Sequence, residues 1–92
     1  MKEEKIIITI SGTDKIGIVA TITAILAKHC VNIEDIKQTL MQGHFVMFML
    51  GDISASEHSF KEIKEALIQA GKEIQMEVWV QRKAIFDKMH TI

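Results

Sequence analysis

This 92-residue chain has no basic stripe. Its eleven lysines and arginines are balanced by twelve acids for a net charge of −1, the lysines are scattered, and Arg82 is the only arginine. Nucleic-acid binders displace counterions from phosphates with clustered cations, so no nucleic-acid partner is expected. Cysteine is nearly absent as well. Cys30 alone can form neither an internal disulfide nor a Cys-x-x-Cys redox or metal motif. No apolar run approaches the ~20 residues that span a bilayer, so no membrane partner is expected either. The opening MKEEK carries acids where a secretion signal needs a basic start, and no apolar segment with a small-residue cleavage site follows it. The expectation is a cytoplasmic protein. With 48% hydrophobic and 25% charged residues, the composition is that of one globular domain with a single core, residues 1–92.

What is present is a change of period along the chain. Residues 5–10 are rich in isoleucine and stop at Ser11-Gly12, which reads as a strand and a turn. From Ile16 onward, Ile18, Ile22 and Ile25 recur with Val19 and Leu26 beside them, the stripe of a helix with one buried face. Alternating Ile18, Ala20 and Ile22 also allow a strand, but the segment is long for one and Asp14 is placed to cap a helix. Asn32 begins a second extended run, with Ile36 and Leu40 on one face and Lys37 and Thr39 on the other. Gln42-Gly43 turns it into HFVMFML, a strand apolar on both faces. Ser59 and Glu62 fit a capping box, and the helix they open turns Phe60, Ile63, Leu67 and Ala70 inward and ends near Gly71. Ile74, Met76, Val78 and Val80 then alternate with Gln75, Glu77 and Gln81 as a last strand. A short tail, about 83–92, offers Ile85, Phe86 and Met89 on one side and needs a surface to dock on.

The order β-α-β-β-α-β with right-handed crossovers predicts an α+β, ferredoxin-like sandwich. It has a four-stranded antiparallel sheet, two helices on one face and a short C-terminal helix. The second and fourth strands become the edges. The third strand is apolar on both faces while helices cover one, so the other face or an edge is expected to meet a partner chain.

No catalytic or metal pattern emerges. His29, His44, His58 and His90 fall in four different elements, without the helical spacing of a metal pair. No serine sits in a nucleophile elbow and no carboxylate pair stands out. Acylphosphatases share this fold but hold phosphate with an arginine in the first loop, where this chain offers Lys15. RNA-recognition domains share the element order, yet Phe45 and Phe48 point to opposite faces and the first strand has no aromatic to complete a stacking platform. Neither enzymatic activity nor a cofactor is expected.

The corner SGTDKIGIVATITAIL, residues 11–26, remains to be explained. Gly12 lets the chain leave the first strand sharply, and Gly17 admits backbone or ligand to the first helical turn. Free N–H groups there attract a carboxylate, and Asp14 can accept from an ammonium group. The pair suits a zwitterion. Equally, Asp14 can serve only as a cap and Gly17 only as a close contact between helix and sheet.

The corner, the Val-Asn-Ile that starts the second strand, and QTLMQGHFVMFML together resemble an ACT domain, over essentially the whole chain. The likeness is to the small prokaryotic proteins made of a single such domain. It implies a ferredoxin-like fold, a homodimer or higher homo-oligomer, and an amino acid or similar metabolite bound between subunits. The first loop then contributes Thr13, Asp14, Lys15, Ile16, Gly17 and Ile18, and the neighbouring subunit contributes Asn32 and Ile33. A regulatory protein of this kind signals to a separate protein partner. Some family members use the fold for assembly alone, which leaves a ligand-free interaction module as the alternative.

Overall fold

The computed structural model describes residues 4–89, in the order β1 (Lys5–Thr13), α1 (Ile18–Lys28), β2 (Asn32–Met41), β3 (His44–Asp52), α2 (Phe60–Glu73), β4 (Glu77–Arg82) and α3 (Lys83–Met89). The four strands form one antiparallel sheet in the order β2-β3-β1-β4. The ferredoxin-like expectation holds, with β2 and β4 as edges.

Alternation along β1 divides the sheet into two faces. Ile6, Ile8 and Ile10 are completely buried and pack with Ile22, Leu26, Ile63 and Leu67 of the two helices. Each such side chain contributes about 1.5–3 kcal/mol of burial free energy. On the other face, Phe48 of β3 and Trp79 of β4 flank Thr9 in one row and stand 45% and 49% exposed. This is the uncovered face anticipated from β3. Among the described residues only α3 approaches it, with Phe86 beside Ile7, Phe48 and Leu50, while Ile85 turns toward Phe60 and Val80. The side chain of Met89 and the last tail residues, His90 included, lie outside the described residues.

Local signals account for the helix ends. Ser59 Oγ accepts the Glu62 N–H at 3.1 Å and Glu62 Oε1 accepts the Ser59 N–H at 2.8 Å, the expected capping box. Both long helices close through left-handed residues that are not glycine, Cys30 at φ 56° and Gln75 at φ 59°. In each, two N–H groups fold back onto the last turn: Cys30 to Ala27 and Val31 to Leu26, Gln75 to Lys72 and Met76 to Gly71.

Four local expectations need correction. The first helix starts at Ile18, and its N-cap is Gly17 rather than Asp14. Gly12 turns no corner, because β1 runs on to Thr13; a Cβ there would meet Met76 Sδ at 2.7 Å, so close packing is its role. Gly71 does not end α2, which continues to Glu73 with Ile74 as C-cap; a Cβ at Gly71 would lie 2.4 Å from Val78 Cγ2. For that reason Ile74 and Met76 belong to the α2–β4 connection, and β4 starts only at Glu77.

Candidate ligand site

The loop from Thr13 to Ile18 is shaped by Gly17, which sits at φ 90° and ψ 2°. That left-handed geometry is what requires glycine here, since a Cβ would find nothing within 4 Å. The close helix–sheet contact considered for Gly17 is therefore absent, and the space over the helix start is open. No side chain among the described residues caps α1. Its first amides accordingly lack intrahelical acceptors.

Around this opening the side chains divide. Thr13 and Asp14 are exposed, and the Asp14 N–H donates to the Gly43 carbonyl at 2.9 Å. Lys15 Nζ reaches Gln75 Oε1 at 3.5 Å, which ties the loop to the turn after α2. Ile16 is fully exposed at 104%, whereas Ile18 is buried at 3% and offers only its backbone.

Asn32 and Ile33 lie elsewhere. Thr13 pairs with His44 and Asn32 with Asp52, at opposite ends of β3. Eight residues of antiparallel strand separate those ends by about 27 Å. Within one chain the two halves of the expected site do not meet. Asn32 is exposed and lines a shallow cleft of about 630 Å³ with Ile33 and the small residues Ala20, Ala24 and Ala27 of α1. Beside it, the Ser54 N–H, 2.9 Å from Asp52 Oδ1, holds the Asp52 carboxyl below the usual range, so negative charge persists next to Asn32.

The edge strand β2 is exposed along nearly its whole length. Ile36 and Leu40 stand 40% and 59% exposed on the helix side of the sheet, beyond the reach of α1, and Met41 is 67% exposed. Histidines come together more than their spacing suggests. His29 and His58 have ring centroids 4.6 Å apart, with His29 Nδ1 bonded to the Ile25 carbonyl at 2.8 Å and His44 Nε2 2.9 Å from Ser11 Oγ. Among the described residues no three His, Cys, Asp or Glu side chains converge on one point. Nor is any described helix long and apolar enough to cross a membrane.

Sequence reasoning passed over Trp79. Its parity with Glu77 and Gln81 assigns it to the open face, and that was the available signal. Phe45 is buried and Phe48 exposed on opposite faces, as their spacing requires, and Trp79 stands on the same face as Phe48 with Thr9 of β1 between them.

The ACT-domain profile matches residues 4–81. This chain belongs to the ACT-domain family. A UPF0237 protein of Methanococcus maripaludis is 46% identical over 89 residues, which is 97% of this chain and 99% of that protein. The ACT domain protein from Streptococcus pneumoniae matches in structure with a TM-score of 0.80 at 30% identity, over 99% of both chains. At 21% identity a formyltetrahydrofolate deformylase from Pseudomonas syringae shares the fold, with a TM-score of 0.81 over 91% of this chain and 29% of that one. The ACT match ends one residue before Arg82, so α3 extends past the profile, while the streptococcal domain covers it.

Proposed function

We propose that this ACT domain is a non-catalytic cytoplasmic regulator that dimerises along β2 and binds an amino acid or similar small zwitterion between subunits. The observation that carries the reading is the placement of the two half-sites at opposite ends of the sheet. A two-fold axis beside β2 pairs it antiparallel with its copy. The Asn32 end of one strand then lies against the Met41 end of the other. The Met41 end leads directly into the Gln42-Gly43 turn, and Asp14 is bonded to Gly43. Two half-sites that are apart in one chain become neighbours in the pair.

The chemistry follows from the groups at hand. The uncapped amides at the start of α1 suit a carboxylate. Asp14 suits an ammonium, and the Asn32 amide can donate to one end or accept from the other. A ligand held by both subunits favours the arrangement that lets both touch it, and in that way occupancy becomes a signal to a protein partner.

The test is thermal unfolding of the full chain against each of the twenty amino acids at millimolar concentration. A ligand at about 100 times its Kd stabilises by roughly 2.7 kcal/mol, a shift of several degrees for a domain of this size. Asn32→Ala is expected to abolish that shift and leave the dimer intact. Absence of any shift would favour the assembly-only module, and a monomeric wild-type protein would remove the shared site altogether.

A further inference from the structure

The end of α1 and the segment before α2 bring two histidines together in the helix layer. The ring centroids of His29 and His58 lie 4.6 Å apart, at an interplanar angle of 58°. Two imidazoles that share one metal ion, each bonded at about 2.0–2.1 Å, place their centroids about 4.5–5 Å apart. The observed separation falls in that span. The helical repeat also keeps the pair clear of the proposed subunit interface. His29 falls on the flank of Ile22, whereas Ala20, Ala24 and Ala27, which line the cleft beside Asn32, fall on the opposite side of α1.

Each ring is engaged through one nitrogen only. His29 Nδ1 lies 2.8 Å from the Ile25 carbonyl, which can only accept, so Nδ1 donates and Nε2 keeps its lone pair in the neutral ring. A backbone carbonyl on the far nitrogen is the usual support of a metal-ligating histidine. His58 Nδ1 lies 3.8 Å from Glu62 Oε2. Neither Nε2 has a hydrogen-bond partner among the described residues. The Ser59 N–H holds the Glu62 carboxyl below the usual glutamate range, so a negative charge stands beside the pair at neutral pH.

We infer that His29 and His58 form a two-ligand site for a late first-row divalent metal ion, nickel(II), copper(II) or zinc(II), within a single chain. Both Nε2 atoms ligate the ion, solvent fills its remaining positions, and Glu62 offsets its charge from outside. Imidazole nitrogen suits these metals, whereas magnesium and calcium prefer oxygen. Spacing along the chain hides the pair, because the two histidines flank different helices and meet only when α1 packs beside α2. A bound ion ties the end of α1 to the start of α2, which Ser59 caps, and so stabilises the helix layer without a second subunit.

The test is a titration of the full-length protein with nickel chloride and zinc chloride in a non-coordinating buffer, with magnesium chloride as comparator. Calorimetry is expected to show saturable binding of nickel and zinc and none of magnesium. Zinc is expected to shift the Nε2 resonances of His29 and His58 and to leave those of His44 in place. At about 100 times the Kd, either ion is expected to raise the thermal midpoint by several degrees. His29→Ala and His58→Ala are each expected to weaken both ions by at least about tenfold, since losing even an outer contact costs that much. His58 is the more exposed of the two, so His58→Ala gives the reading where His29→Ala disturbs the end of α1. His44→Ala, Cys30→Ser and Asn32→Ala are expected to bind as the parent does. Binding that survives His58→Ala, that is lost with Cys30 or His44, or that magnesium matches would overturn the inference. So would no binding of nickel or zinc at millimolar concentration. The interface reading is scored separately, by the amino-acid shift in metal-free protein.

Discussion

The Asp14 backbone N–H donates to the Gly43 carbonyl at 2.9 Å, so the corner that opens α1 is anchored to the turn that opens β3. That turn is itself constrained, with Gln42 at φ 49° and Gly43 at φ 84°, the paired left-handed geometry that matches strand twist. Gly43→Ala meets no steric obstacle, since nothing lies within 4 Å of the added Cβ, but it strains the backbone. A loss of about 1–2 kcal/mol is expected in urea unfolding, together with faster exchange of the Asp14 amide. Gly43→Asn should recover much of the loss, because asparagine tolerates this region. An alanine variant as stable as the parent would mean the turn relaxes to another form.

Gly71 reverses the usual rule for glycine in a helix. In an open helix interior, glycine to alanine gains about 1 kcal/mol. Here the new Cβ would fall 2.4 Å from Val78 Cγ2 and 3.1 Å from the Met76 carbonyl oxygen. Gly71→Ala is therefore expected to destabilise by about 1–3 kcal/mol, the scale of overpacking a core. Adding Val78→Ala should recover part of that loss. A stabilised single variant would show that α2 and β4 separate easily.

At Cys30 the opposite sign is expected. It occupies the left-handed position after α1 and is exposed, so its side chain contributes little burial to offset the backbone strain. Cys30→Gly should stabilise by about 1 kcal/mol and raise the thermal midpoint by several degrees. A lower midpoint would mean that glycine's greater freedom in the unfolded chain outweighs the relieved strain.

The capping box of α2 separates into two measurable parts. Ser59→Ala removes the hydroxyl that accepts the Glu62 N–H and should cost about 1 kcal/mol. The Ser59 backbone N–H remains in that variant, and it is the main reason the Glu62 carboxyl is held below the usual glutamate range. A depressed folded-state value contributes stability above the unfolded value, near pH 4.3, and loses it as pH falls through the folded value. Ser59→Ala should therefore keep most of this acid dependence, while Glu62→Gln removes it. Urea unfolding of both variants from pH 7 to pH 3 reads the two contributions. Identical acid profiles for Glu62→Gln and wild type would exclude the carboxylate as the titrating partner.

Most of the fold was legible because its signals are local. The alternation of Ile6, Ile8 and Ile10, the Gln42-Gly43 turn and the Ser59/Glu62 cap each act within a few residues. What could not be read depends on partners distant in sequence. Gly12 and Gly71 look like chain breakers until Met76 and Val78 come against them. Gly17 rather than Asp14 begins α1 because a left-handed backbone leaves no trace in composition. The candidate site was legible as two motifs, but their spacing along the chain does not reveal the strand length between Thr13 and Asn32. Trp79 and Phe48 come into one row, on either side of Thr9, only through the pairing of β1 with both β3 and β4.

The bare edge of β2 gives the proposed dimer its most direct test. Ile36 and Leu40 project on the helix side beyond α1, half exposed in a single chain, where a copy's helix layer would cover them. Replacing both with lysine puts two like charges beside their symmetry mates while leaving the buried core untouched. The double variant Ile36→Lys, Leu40→Lys is expected to keep its fold, read by an unchanged far-ultraviolet dichroism spectrum. Its dimer dissociation constant in sedimentation equilibrium should rise by about 30-fold or more, the equivalent of about 2 kcal/mol at an interface hot spot. Loss of amino-acid stabilisation in the same variant would tie the ligand to the paired state. A variant that still dimerises with wild-type affinity would move the interface elsewhere, to the Phe48–Trp79 face, and dissolve the shared site with it.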